Sequence, residues 1–385
     1  MNKELLEYSL NFNRRRFLSK MSLGIGSVAL GSLLIPDLFG EKNPEDMLLA
    51  GLPHFAPKAK RIIYLFQNGA PSQLDLFDYK PKLQEMFGQD LPESIRNGQR
   101  LTGMTAGQKK FPLAGSVFNF NQHGKARTWM SEILPHTAKV VDELCVIKSM
   151  YTEAINHDPA LTFLQTGAQV GNRPSMGSWL SYGLGSENKN LPAFCVLLSK
   201  GKGNGQGVYS KLWSNGFLDS VHQGVQFSSG DSPVLYLNNH ESINKVDRRK
   251  MLDKLEQLNA ETFNQSGDPE VNAKIQQYEM AYRMQTAVPD ITDVSKEPDD
   301  IVKLYGPDCL IPGTFAANAL LSRKLSENGV RFVQLYHQGW DTHGNLPNEM
   351  RGQCMDTDQA SAALITQAPA EKTDKHRAPP LHAPT

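Results

Sequence analysis

"VRFVQLYHQGWDTHGN", residues 330–345, decides how this chain is read. Its first half, 330–337, is a continuous apolar, β-branched run without a helical period, the pattern of a strand covered on both faces. Its second half is a glycine-bounded turn that carries Trp340, Asp341 and His343. In parallel α/β sheets, reactive groups collect beyond the carboxyl ends of the strands. One stretch thus points to a fold and to a place on it.

Three further segments have the same strand character. They are "KRIIYLF" (60–66), the end of "VVDELCVIKSM" (140–150) and "LPAFCVLLS" (191–199). Helical patterns lie between them. In "VDRRKMLDKLEQLNAETF", Met251, Leu252, Leu255 and Leu258 share a stripe, and Val271, Ile275, Tyr278 and Tyr282 do so in the next segment. "TFAANALLSRKLSENG" runs from Thr314 as N-cap to Gly329 as the residue just past the helix end. A last helix is expected from about residue 352, with Asp356 or Thr357 as cap. Buried strands alternating with amphipathic helices predict an α/β domain over 58–366, its central sheet mostly parallel and flanked by helices. The glycine-rich region 200–245 lacks the strand–loop–Lys–Ser/Thr order of a phosphate-binding loop and reads as a surface excursion.

The chain has 385 residues, with 40 Lys+Arg balanced by 40 Asp+Glu, so its formal net charge is zero. That balance argues against a nucleic-acid binder. At the start, "NRRRFLSK" precedes the apolar "MSLGIGSVALGSLLIP". A basic patch before an apolar run of about 15 residues fits an export signal better than a membrane span, which needs about 20. Arg14, Arg15, Phe17 and Leu18 resemble the twin-arginine signal. The expectation is a signal over 1–36, a linker over 37–57 and a disordered, proline-rich tail over 367–385. Location would be periplasmic or extracellular, the twin-arginine translocation machinery a partner, with no permanent span after signal removal. The four cysteines, Cys145, Cys195, Cys309 and Cys354, show no CxxC spacing. That leaves disulfides or buried thiols as alternatives and supports no zinc knuckle.

The strand-end rule gathers the candidates for chemistry. Asp341 and His343 lie two apart in a tight turn, and carboxylate with imidazole is a common first shell for zinc, iron or manganese. The plainer alternative is an Asx-turn with a packed histidine. After the first strand come Asp75 and Asp78, read as metal ligands or as caps of the next helix, and Ser72, a lone serine that is weak evidence for a nucleophile. In "NHDPALTFLQTG" (156–167), Pro159 suits a first helical position with Asp158 as N-cap. His157 then precedes a helix N-terminus, where free amides and the dipole favour an anion such as a phosphate or sulfate ester. His157 and Asp158 are the catalytic candidates, His157 as nucleophile, general acid or metal ligand; the alternative is a surface histidine beside a capping aspartate.

The pieces "RRRFL", "KRIIYLFQNGAPSQLDLFDYKP", "INHDPALTFLQTG", "GNRPSMGSWLSYGLGSENKNLPAF", "LWSNGFL" and "QGWDTHGNLP" resemble the exported bacterial family called domain of unknown function 1501, over roughly 13–366. That family resembles the sulfatase and alkaline phosphatase superfamily. The resemblance implies an alkaline phosphatase-like sheet and a divalent metal (zinc, calcium or manganese) held by Asp341, His343, Asp75 and Asp78. It also shows departures. His157 stands where sulfatases carry the Cys or Ser that becomes formylglycine, Leu161 where they carry Arg, and Gln67 and Asn68 where they pair metal aspartates. The family's later strand, its Gly-Gly-Glu-Phe-Gly-Arg turn and its Asp-His-His cluster are not found, so the domain is expected to be incomplete at the C-terminus.

Three functions follow as expectations. The first is a metal-dependent hydrolase of sulfate or phosphate esters, its substrate an anionic ester or polysaccharide. The second is a non-catalytic binding or scaffold protein of the same fold, and the third an inactive, truncated gene product.

Overall fold

A computed structural model of the chain describes residues 59–367, apart from 99, 100, 102, 104, 204, 231, 232, 235–238, 240 and 241. The expected signal, linker and, apart from Gln367 at the end of a helix, proline-rich tail lie outside the described residues. Strand β1, Ile62–Asn68, is followed by three short helices, α1 (Gln73–Leu76), α2 (Pro81–Glu85) and α3 (Glu93–Arg96). A small hairpin follows, β2 (Phe120–His123) against antiparallel β3 (Thr128–Ser131). Helices α4 (His157–Thr166) and α5 (Met176–Leu184) precede β4 (Phe194–Lys200) and the short β5 (Val225–Phe227). Then come α6 (Lys245–Ser266), α7 (Pro269–Thr292), α8 (Asp299–Tyr305), α9 (Phe315–Glu327), β6 (Phe332–Gln338) and α10 (Leu346–Gln367).

The main sheet has the order β1-β6-β4-β5, with every pair parallel. β6 is central, and six of its seven residues are buried, in keeping with a strand covered on both faces. Its residues alternate between two cores. Val333 and Leu335 join Cys195 and Leu197 beneath α9, against Phe315, Ala319 and Leu320. Phe332 and Tyr336 join Phe194 and Val196 on the opposite face, against Leu161 of α4 and Trp213. Each such aliphatic or aromatic side chain taken from water contributes about 2 kcal/mol. The polar exception, Gln334, is buried and donates to Gln165 Oε1 of α4 at 2.6 Å.

Several expectations need correction. The run at 145–150 is not a strand: residues 137–143 form a 3₁₀ turn, and Ile147 and Met150 beyond it are 64% and 74% exposed. Both edges of β6 and of β4 are already occupied, so that segment finds no place in the centre of the sheet. The supposed surface excursion contributes β5 and two 3₁₀ turns. α10 begins at Leu346, which places Asp356 and Thr357 inside the helix rather than at its cap. α6 and α7 exist, but of the expected stripe only Leu252 is buried, because these helices pack chiefly on each other, joined by Arg249 Nη2–Glu279 Oε1 at 2.5 Å. α9 matches its reading: Thr314 Oγ1 accepts from Ala317 N at 3.1 Å, and Gly329 takes φ +90°.

No helix of the described residues is long and apolar enough to cross a membrane. All four cysteines are free; Cys145 is exposed and Cys195, Cys309 and Cys354 are buried.

Candidate functional site at the carboxyl edge of the sheet

β1, β6 and β4 end in step, with Asn68 paired to Gln338 and Gln338 to Lys200. The three loops that leave them meet backbone to backbone, and glycine permits it. Gly69 has φ +119°, and a Cβ there would strike the main-chain nitrogen of Asp341. Gly339 has φ +115°, and a Cβ there would strike the Gln353 amide. The Trp340 main-chain N–H donates to Asn68 O at 3.2 Å, and its indole Nε1 donates to Gln67 Oε1 at 2.8 Å. Asp341 is thereby fixed against the end of β1.

Asp341 collects the histidines. His343 Nε2 lies 2.8 Å and His157 Nε2 3.3 Å from the same carboxylate oxygen, Oδ1. The Gln206 amide donates to the other oxygen, Oδ2. Asn68 Nδ2 donates to Gln206 O at 2.9 Å and so holds that glutamine in place. The carboxylate is nearly buried, while both imidazoles keep more than a third of their surface exposed. A negative charge is thus held under two proton carriers that solvent and a ligand can reach.

His157 arrives from the first residue of α4. The N-cap is Asn156 rather than Asp158, which lies in the first turn and pairs with Lys211 Nζ. The expected cap role of Asp158 is therefore corrected: its carboxylate faces the 3₁₀ turn carrying Lys211. The helix ends as expected, at Gly167 with φ +73°.

Asp75 and Asp78 do not join the cluster. Asp75 is buried and accepts from Ser72 Oγ at 2.6 Å and from Ser116 Oγ at 2.7 Å. Asp78 pairs with Lys80 Nζ at 2.8 Å. Among the described residues neither shares a partner with Asp341 or His343. Neither is the helix cap of the alternative reading, since Ser72 stands at the N-cap of α1 and Lys80 at that of α2.

His337, close to Asp341 in sequence, is turned into the core by the alternation of β6. Its Nδ1 faces Ser199 Oγ at 2.9 Å and its Nε2 faces Gln353 Oε1 at 2.8 Å. Burial pushes its pKa down to about 4, against the smaller opposing effect of the Gln353 hydrogen bond. Gln353 Nε2 donates onward to Gly339 O at 2.6 Å, so this neutral imidazole supports the turn from below. Sequence reasoning noted Asn68 at the end of the first strand but missed Gln206 and Gln353, amides whose positions carry no motif.

Whether a metal suits this place can be asked of the donors. Carboxylate Oδ1, two imidazole nitrogens and the buried, unpartnered Oδ1 of Asn68 are the donor types that borderline divalent ions take. Among the described residues, though, no group of three His, Cys, Asp or Glu is placed to hold an ion. The imidazoles point at the carboxylate itself. The donor chemistry fits, and a cation would have to open the hydrogen-bonded array to use it.

No curated protein matches the chain, and no solved structure does. One family model does match, over residues 59–368, a span that holds the whole sheet and every residue of the cluster. The chain belongs to the family described as protein of unknown function (DUF1501).

Proposed function

We propose that the His157–Asp341–His343 cluster is the reacting centre of an exported hydrolase, alkaline phosphatase-like in fold, that cleaves phosphate or sulfate esters. One observation carries the reading: imidazoles from two distant elements share a single oxygen of a nearly buried carboxylate. Asp341 orients both rings and stabilises whichever is protonated, as a general acid–base pair requires. His157 stands at the start of a ten-residue helix, where unpaired amides and the dipole favour the oxyanion of a bound ester. Lys211 and Asp158 form an ion pair beside that helix. His343, the more exposed ring, is suited to hand a proton to the leaving oxygen and take one from water.

To hold a divalent cation, Asp341, His343 and His157 would first have to part from the hydrogen-bonded array they form with one another. A nitrogen-containing set favours zinc or manganese over calcium, which prefers oxygen ligands alone. Such an ion would polarise the ester oxygen. The twin-arginine-like start of the sequence supports export.

Turnover of aryl phosphate and aryl sulfate esters by the wild type, Asp341→Ala, His157→Ala and His343→Ala tests the reading, with metal content measured on each protein. Wild-type turnover retained by all three folded variants would refute it. So would a wild type inert to both esters when supplied with zinc and with manganese.

A further inference from the structure

A second hollow, of about 830 Å³, lies away from these residues, lined among others by Ser181, His222, Val225, Lys274, Met280 and Met284. Its lining is mostly apolar with a few polar groups converging on it, the character of a small-molecule site. α5 contributes Ser181, the 3₁₀ turn Ser220–His222 the imidazole, β5 Val225, and α7 Lys274, Met280 and Met284. The walls are clipped together. Glu270 Oε2 accepts from Ser220 N at 3.3 Å, and Gln277 Nε2 donates to Ser220 Oγ at 3.0 Å.

The polar end has a defined character. Ser181 Oγ and His222 Nδ1 are 3.0 Å apart. Burial lowers the His222 pKa, against the pull of Asp219, so the ring is neutral at neutral pH. In the tautomer in which Ser181 Oγ donates to Nδ1, the ring proton sits on Nε2; Nε2 has no hydrogen-bond partner among the described residues. Lys274 makes no ion pair among the described residues, and Glu270, one turn before it, is turned onto the Ser220 amide. Lys274 and, in that tautomer, His222 offer donors to the hollow, while the Glu270 carboxylate that also lines it accepts from Ser220 N. The methionines supply adaptable apolar surface below.

We propose that this hollow binds an amphiphile with an unbranched apolar tail and a carboxylate head. The head is taken by Lys274 and His222 Nε2, and the tail lies along Val225, Met280 and Met284. The site is independent of the ester chemistry proposed above.

Calorimetric titration of the full chain with decanoate, with decylamine as the opposite-charge control, tests it. Decanoate is expected to bind in the micromolar range, Lys274→Glu to weaken it by about tenfold or more, and Met280→Trp to abolish it by filling the hollow. Asp341→Ala should leave it unchanged, which separates this site from the first. Melting temperatures confirm that each variant is folded; should Met280→Trp not fold, the exposed Lys274→Glu decides alone. No binding of decanoate, equal binding of decylamine, or unchanged affinity in Lys274→Glu would overturn the proposal.

Discussion

Replacing His337 by glutamine should remove a specific acid sensitivity from the fold. The imidazole is 1% exposed, and burial has lowered its pKa from 6.5 to about 4. The unfolded chain therefore binds this proton at a higher pH than the folded one. The neutral ring's stability contribution is complete above about pH 6.5 and drains away as pH falls toward about 4. At about 1.4 kcal/mol per pH unit over that window, the loss approaches about 3 kcal/mol. Glutamine can still hydrogen-bond to Ser199 or Gln353 but does not titrate. At neutral pH the variant should be less stable by about 1–3 kcal/mol, the cost of an imperfect buried network. Urea unfolding followed by circular dichroism, at steps between about pH 7 and about pH 4.5, gives both curves; carboxylates common to both proteins cancel in the difference. The gap should close steadily as pH falls. Parallel loss of stability by the two proteins would refute the reasoning, because it would mean the ring charges without penalty where it lies.

Gly69→Ala should cost about 3 kcal/mol in denaturant unfolding and disturb ester turnover with it, since the new methyl meets the backbone of Asp341 at a positive φ. Asp358→Ala should cost about 3 kcal/mol, because His136 N, Thr137 N and Thr137 Oγ1 all donate to that buried carboxylate. Asp341→Asn keeps the shape of the carboxylate but not its charge; turnover of an aryl phosphate or sulfate should fall by about 10²-fold or more, with the melting temperature little changed. A thiol reagent at neutral pH should label Cys145 rapidly and Cys195, Cys309 and Cys354 only on unfolding, as mass spectrometry of the labelled protein would show.

Much of the frame is legible in the sequence because burial on both faces leaves a dense signal. The runs around Tyr64, Val196 and Leu335 declare themselves as strands, and Thr314 and Gly329 bracket a helix through capping chemistry that is local. What is not legible is decided by tertiary partners. β5 is three residues long, and β2 pairs through the unremarkable "FNQH". Ile147 and Met150 belong to a strand-like run left without a ladder, which no local rule reveals. In the site, the strand-end rule directs attention to Asp341 and His343, whereas it reaches His157 only through a run that forms no strand. It does not distinguish them from Asp75, which two serines occupy, or from His337, which the two-residue alternation of β6 turns inward. The amides of Asn68, Gln206 and Gln353 act only through where the fold puts them.

The order β1-β6-β4-β5 has a consequence for biosynthesis. Of the four described strands of this sheet, β6, which lies between β1 and β4, is the last to leave the ribosome. Until residues 332–338 emerge, β1 and β4 have no common neighbour, and each presents an open ladder to whatever lies nearby. A nascent chain in that condition is slow to close and vulnerable to association with its own kind. A holding chaperone should be needed most in the interval between translation of β4 and translation of β6, and hardly at all afterwards.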